Sequence, residues 1–334
     1  MPKNIQVEMQ EVFVQHLKQS VPTNVSLADD IAELLNISND SAYRRLRCQT
    51  EFTLDETYKI CTKYRLSLDS IFSNKGNMVT CHYNKLTNSA QSFETYLTSL
   101  LHQIQQMQKT EGAKLIYAAE EVPIVRSFHS AKLAAFKLFY WQRSVLNVPE
   151  YQHEKFTWDV IPQAQLDIAQ QINTGYTQIE STEIWTSDTI QTNIKQVEYY
   201  FESGAFKHRE DAIAVLMELK TMLQLMSNDA EIENKNTNIN GTVVPFSLYY
   251  SDLMIGTNCI HINSNDSLLS YISFNSLNSL ATANQEFCGE IDQWMKNLIK
   301  KSTLISGVAE KQRFQFFNKA HKAIDDCIDR INNS

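Results

Sequence analysis

Three residues, Asn36, Ile37 and Ser38, are all that separate two stretches of helix-type sequence near the start of the chain. Ahead of them, Ser26 is placed to cap a helix, with Asp29 three positions on as a variant of the capping box, and Ile31, Ala32 and Leu35 recur along one side as its buried stripe. Behind them, Ser38 is placed to cap a second helix, Ser38 to Arg47. A connection this short cannot carry the chain away, so the two helices must cross and bury their apolar faces against each other. The residue types fit that geometry. Asn36 tolerates the left-handed conformation of a tight turn, Ile37 supplies an apolar plug, and Ala32 is small enough for a close crossing. Ala42, with Leu46 one turn later, makes the facing side of the second helix.

Similar signals run through residue 72. Ile5, Met9, Val12, Phe13 and Leu17 keep a three- and four-residue spacing along a first helix that Val21-Pro22 ends. Thr53-Leu54-Asp55-Glu56 is a regular capping box opening a fourth helix, with Leu54, Tyr58, Ile60 and Cys61 as apolar positions, and Leu68 to Phe72 makes a last short turn. Around residues 73 to 79, Ser-Asn-Lys-Gly-Asn has the composition of a linker. It divides the chain into a domain at 1–75 and a larger one at 79–334.

The larger part reads as helix-rich with some strand. Helix periodicity marks 90–108, 131–146, 163–173, 187–203, 208–227, 281–301 and 309–332. Lys114 to Ala119, bounded by Gly112 and Pro123, has the length and character of a buried strand. Beyond the Asn- and Thr-rich loop Asn234 to Gly241, the runs Phe246 to Ser251, Cys259 to Asn263 and Leu269 to Phe274 are spaced closely enough for an antiparallel meander.

Whole-chain chemistry excludes several classes. With 43% hydrophobic and 20% charged residues over 334 positions, the chain can bury a substantial core. Its 30 Lys and Arg against 38 Asp and Glu leave a net charge of −8, which argues against coating nucleic acid through the overall field. The imbalance is uneven: residues 1–75 hold nine basic and ten acidic side chains and the remainder 21 and 28, so the acidity belongs mostly to the second part. The eight glycines stand alone, without a Gly-rich phosphate cradle. Six cysteines, at 48, 61, 81, 259, 288 and 327, show no C-x-x-C pairing, and neither a secretory segment nor an apolar run of membrane-spanning length stands out. Reduced thiols and a cytoplasmic location are expected. No His-x-x-x-His, His-Glu-x-x-His or Gly-x-Ser-x-Gly spacing occurs, so no catalytic or metal site is assigned and neither cofactor nor enzyme activity is expected. Glu120-Glu121 and Asp325-Asp326 read as solvated edges.

Ser26-Leu-Ala-Asp-Asp-Ile-Ala-Glu-Leu-Leu-Asn-Ile-Ser-Asn-Asp-Ser-Ala-Tyr-Arg-Arg-Leu-Arg47, followed by Phe52-Thr-Leu-Asp-Glu and Leu66-Ser-Leu-Asp-Ser-Ile-Phe72, resembles the lambda repressor-like helix-turn-helix domain of phage-repressor and BetR-type bacterial regulators. The resemblance covers roughly the first fifth of the chain. It implies that the helix after the turn enters the major groove, where its outward positions Ser38, Asn39, Asp40, Tyr43, Arg44 and Arg47 touch bases and phosphates. Three positions depart from the commonest pattern: Asn36 replaces a turn glycine, Arg45 stands where a second buried aliphatic is usual, and Cys48 replaces a frequent glycine after the helix. Arg44, Arg45 and Arg47 supply a local positive face, and arginine can bridge O6 and N7 of guanine while asparagine can pair with adenine. The plainer alternative is a solvated helix face pairing with Glu51 or Asp55.

The expected fold class is therefore mainly α: an N-terminal lambda repressor-like helix-turn-helix domain of four to five helices, and a larger helix-rich α+β domain with a small antiparallel sheet. The expected function is a sequence-specific DNA-binding transcriptional regulator that reads double-stranded DNA through the major groove as a homodimer, away from any membrane. The C-terminal domain then senses an unidentified small-molecule effector or holds the dimer. The rival reading is a protein-interaction adaptor whose helical N-terminal domain binds a protein partner. Phe136, Phe139, Tyr140, Trp141 and Tyr199 to Phe201 are core or pocket lining. Phe314, Phe317, His321, Ile324, Ile328 and Ile331 form a narrow seam that packs within the domain or pairs two subunits.

Overall fold

The computed structural model describes residues 3–19, 26–64, 66–68, 71, 78–235, 243–265 and 267–334. The linker sequence up to Asn77, the Val21-Pro22 stop, most of the turn from Leu68 to Phe72 and most of the Asn234 to Gly241 loop lie outside them. The chain divides into two compact units, Met1–Thr80 and Cys81–Ser334.

The first unit contains α1 (Lys3–Gln19), α2 (Leu27–Leu35), α3 (Asn39–Leu46) and α4 (Leu54–Tyr64). Phe13, Val14 and Leu17 of α1 meet Ile31, Ala32 and Leu35 of α2, Ala42 and Leu46 of α3, and Ile60 of α4 in one core. Met9, Leu54 and Tyr58 were apolar positions in the sequence pattern and are exposed here. The Thr53 capping box forms, with Glu56 N donating to Thr53 Oγ1 at 3.2 Å and Thr53 N donating to Glu56 Oε2 at 2.9 Å. The variant expected at Ser26 does not form: Ser26 has the extended backbone of a cap, but its hydroxyl accepts nothing from α2. Asp29 is engaged elsewhere, by a side chain of α3.

The second unit runs α5 (Ala90–Lys109), β1 (Lys114–Ala119), α6 (Ile124–Ser127), α7 (Ala131–Tyr140) continuing into a π-helical turn (Trp141–Val145), α8 (Gln163–Tyr176), β2 (Glu180–Trp185), α9 (Ser187–Glu202) and α10 (Arg209–Ile232). It continues with β3 (Phe246–Tyr250), β4 (Cys259–Asn263), β5 (Leu268–Ser273), β6 (Ser279–Thr282), α11 (Gln285–Lys301), β7 (Thr303–Leu304) and α12 (Glu310–Asn333). The sheet is neither small nor purely antiparallel. It has seven strands in the order β6-β5-β4-β1-β2-β3-β7. The central β1, β2 and β3 are parallel, with the β4-β5-β6 meander antiparallel on one side and β7 antiparallel on the other. Helices between β1 and β2, and between β2 and β3, carry the chain back to start each strand at the same end, which makes the pairing parallel. The meander consequently starts at β4, not at β3.

Pleating divides the side chains between two cores. Leu115, Tyr117, Ala119, Trp185, Phe246 and Leu248 face the larger one, while Ala118, Ile184 and Cys259 face a smaller one that α11 closes with Ile291, Met295 and Leu298. Phe136 packs in the larger core against the rings of Phe156, Tyr200 and Phe206, each centroid 5.6 Å away. The α12 seam packs inside the same unit, with Phe317, Ile324 and Ile331 buried and Phe314 left exposed. Glu121, expected at a solvated edge, is buried: Lys137 Nζ lies 2.9 Å from its Oε2, and Gln196 Nε2 donates to the same oxygen at 3.2 Å.

The heart of the larger core is charged. Glu183, in the middle of β2, is fully buried and accepts from Arg126 Nε (2.9 Å), Tyr176 OH (2.6 Å) and Trp185 Nε1 (2.9 Å). Arg126 Nη1 also donates to Asp229 Oδ2 at 3.1 Å, and its guanidinium lies 4.6 Å from the Phe246 ring centroid. Burial opposes the charge on Arg126, but Glu183, Tyr176 and Asp229 more than offset it, so its pKa is raised and it stays a cation. Lys235 is buried nearby and donates to the carbonyls of Tyr176 (2.9 Å) and Ile179 (2.6 Å). Burial first, then Arg126, holds its pKa well below the usual lysine value, which favours the neutral amine.

Glu183→Ala leaves Arg126 buried without its main counter-charge and is expected to lower the unfolding free energy of the second unit by about 3–5 kcal/mol. Lys220→Ala, which removes a surface contact to Asp325 (2.7 Å), is expected to cost about 1 kcal/mol or less. Urea unfolding of both variants checks the contrast, and equal shifts would deny the buried network its structural role.

Candidate nucleic-acid interface

The geometry of α2 and α3 is set at their connection. Asn36 adopts the left-handed conformation (φ 55°, ψ 49°), and its N–H and that of Ile37 return to Glu33 O (3.2 Å) and Ala32 O (3.0 Å), which ends α2 sharply. Ser38 then takes extended backbone angles, and its Oγ accepts from Ser41 N at 3.3 Å to start α3. Ala42 and Leu46 face the core, which directs Asn39, Asp40, Tyr43, Arg44 and Arg47 to the surface, with Ser38 exposed at the helix start.

These six candidates are not equally free. Ser38 Oγ is engaged as the cap. Asn39 Nδ2 donates to Asp29 Oδ1 of α2 at 2.8 Å, so it meets an outside acceptor only by exchanging that bond. Arg44 Nε lies 3.1 Å from Asp40 Oδ2, in a pair whose side chains are 62% and 76% exposed, respectively. Such a contact is weak and easily exchanged for a phosphate or a base edge. Arg47 rests its guanidinium 5.8 Å from the Tyr43 ring centroid, within the range of a cation–π contact.

Arg45 leaves the positive face that the sequence suggested for it. Its Nε and Nη2 reach Glu56 Oε2 and Oε1 at 3.1 and 2.9 Å, with side-chain exposures of only 16% and 17%. The partner is thus Glu56, not Glu51 or Asp55. This explains why an arginine stands where an aliphatic residue is common: it bridges α3 to the capped start of α4 with a two-toothed contact. Cys48, φ 59°, has the left-handed backbone that favours glycine at that position.

Three supports were not visible as site residues in the sequence. Gln10 of α1 donates to Arg45 O (3.0 Å) and Thr50 O (2.8 Å) and accepts from Phe52 N (3.1 Å), which clamps the exit from α3. Asp30 of α2 accepts from Lys63 Nζ at 2.6 Å and from Tyr64 OH, tying α2 to the end of α4. Glu56 is both helix cap and Arg45 partner. For Gln10 and Asp30 the sequence signal was a polar residue within or beside an apolar stripe, and for Glu56 it was the capping box, which did not point to Arg45.

The second unit holds another arrangement with catalytic residue types. His261 Nδ1 lies 2.9 Å from Ser270 Oγ, and its Nε2 lies 3.7 Å from Asp292 Oδ1. Both Ser270 and His261 are fully buried, and burial lowers the His261 pKa. No substrate carbonyl can approach such a serine, so the trio is core packing. Among the described residues no group of three His, Cys, Asp or Glu side chains is arranged to hold a metal ion, and no helix is long and apolar enough to cross a membrane. The six cysteines form no disulfide. No family model, curated protein or solved structure matches the chain.

Arg45→Ala strands the half-buried Glu56 carboxylate and is expected to destabilise the first unit by about 1–3 kcal/mol, whereas Arg44→Ala is expected to change it by about 0.5 kcal/mol or less. Thermal unfolding of the two variants reads the difference. Acid should act through the same ties. Hydrogen bonds from Lys63 and Tyr64 hold Asp30 below its ordinary 3.8, and although burial works to raise Glu56, its bonds to Arg45 and Thr53 hold it below 4.5. A folded-state pKa below the unfolded value gives stability that is present above that value and lost as pH falls through the folded one. The melting temperature of the first unit is therefore expected to fall as the pH drops below about 4, and to fall less steeply in Asp30→Asn.

Proposed function

We propose that this protein is a sequence-specific DNA-binding transcriptional regulator, in which α2 and α3 act as a lambda repressor-like helix-turn-helix and α3 enters the major groove. One observation carries the reading: α3 is anchored by Ala42, Leu46 and the Arg45–Glu56 bridge, while Ser38, Asn39, Asp40, Tyr43, Arg44 and Arg47 all remain on its outward side. The division is what a reading helix needs, rigid on one side and polar on the other. Arg44 exchanges Asp40 for a guanine edge or a phosphate, Arg47 meets the backbone beside it, and Asn39 exchanges Asp29 for adenine. The chain works as a cytoplasmic homodimer on two half-sites, and the second unit provides sensing or dimer contacts.

A protein-interaction adaptor is the second reading, favoured by Leu54 and Tyr58, which stand one turn apart and exposed on α4. Selection from a random DNA pool separates the two. The regulator is expected to enrich a defined sequence and to bind it less tightly as salt rises. Arg44→Ala and Arg47→Ala are each expected to weaken specific binding by at least about 1 kcal/mol. Enrichment of no sequence, or affinity independent of salt, would sink the regulator reading in favour of the adaptor.

A further inference from the structure

The second unit has a partly open cavity of about 190 Å³ between α5, the β1-β4-β5 part of the sheet, the turn after β1, and Trp141 at the start of the π-helical turn. Leu100, Leu115, Val122 and Ile260 make much of its wall apolar. A cavity of about 150 Å³ with such walls holds a benzene ring, so this one admits one or two fused rings. π-helical turns are rare and often mark functional positions.

The polar groups in the wall are unevenly satisfied. Tyr96 OH donates to Leu277 O at 2.6 Å and Tyr176 OH to Glu183 Oε1 at 2.6 Å, so these two are engaged. Trp141 is 2% exposed, and its indole N–H has no partner among the described residues. Tyr117 is 6% exposed, and its hydroxyl likewise takes part in no hydrogen bond among them. A buried donor without a partner costs about 1–3 kcal/mol, and native proteins leave few of them. Trp141 Nε1 is such a donor, and together with the unbonded Tyr117 hydroxyl in the wall of the same cavity it points to a partner that is not part of the chain.

Charge narrows the class of that partner. The cavity's one carboxylate among the described lining residues, Glu121, is neutralised by Lys137 at 2.9 Å. Apart from exposed His82, the described residues of the wall include no ionisable base, so a charged guest would lose hydration without gaining a counter-charge from them. We propose that this cavity binds a neutral, flat molecule of one or two aromatic rings whose polar atom accepts hydrogen bonds from Trp141 Nε1 and Tyr117 OH. The site deepens the sensing role given to the second unit and rests on that reading only for its consequence. His82, Tyr83 and Asn84, the residues by which the chain enters this unit, also line the cavity, and His82 pairs with Ala281 through two 2.7 Å backbone hydrogen bonds. A guest that favours one arrangement of this segment over another shifts their populations.

Titration of the full chain with 2-naphthol and with 2-naphthoate, in the absence of DNA, tests the site. The neutral probe is expected to bind saturably at one per chain and the anion at least about 10-fold more weakly. Tyr117→Phe and Trp141→Phe are each expected to weaken 2-naphthol about 3- to 10-fold, and Leu100→Trp, which fills the cavity, to abolish binding. No saturable binding, equal or tighter binding of the anion, or unchanged affinity in both Tyr117→Phe and Trp141→Phe would overturn the proposal, and the last outcome decides even if Leu100→Trp fails to fold. Because no DNA is present, failure here leaves the DNA-binding reading standing, and failure to bind DNA leaves this result standing.

Discussion

A carboxylate in the middle of a parallel sheet must be neutralised where it stands, because no water reaches it. Glu183 meets that demand with three donors from three directions: Arg126 of α6, Tyr176 at the end of α8, and Trp185 two places along its own strand. Arg126 in turn engages Asp229 of α10 and lies over the Phe246 ring of β3. Five elements of the second unit are thereby held at one point. Well-packed apolar residues of similar volume often match such a network in stability; what the charges add is direction, since each hydrogen bond is satisfied in only one arrangement of the helices on the sheet.

The first unit applies the same physics at lower stakes. Its core is small, and ion pairs at the core's edge fix how its helices meet. Arg45 and Glu56 join α3 to α4, Asp30 joins α2 to the far end of α4, and the Gln10 amide closes the loop after α3. Each tie keeps the outer side of α3 in place without using a residue from that side. The Arg44–Asp40 pair has the opposite character: both groups are mostly in water and exchange partners at little cost. One short helix therefore carries a structural arginine and two exposed ones next to each other.

The parts legible from sequence share a scale. Caps, turn residues and apolar periodicity act within about four positions, so Asn36, Ser38, the Thr53 capping box, and the strands at Lys114 and Cys259 could be read directly. Where the reading failed, the deciding contact was distant. Glu180-Ser-Thr-Glu-Ile-Trp185 does not look like a buried strand, because its partner Arg126 lies 57 positions from Glu183. Glu121 looked like a solvated edge because Gln196, which helps to bury it, lies 75 positions on.

By itself, then, the sequence determined the helices of the first unit, the sharp turn between α2 and α3, the side of α3 that faces outward, and the helix-rich character of the rest. Tertiary structure decided that Arg45 turns inward while Arg44 does not, that the sheet is built on three parallel strands, and that Trp141, packed against Phe93 in the larger core, also lines a cavity. The physical reason is that local backbone geometry follows from neighbouring residues, whereas the burial of a charge depends on a partner the chain brings in from far away.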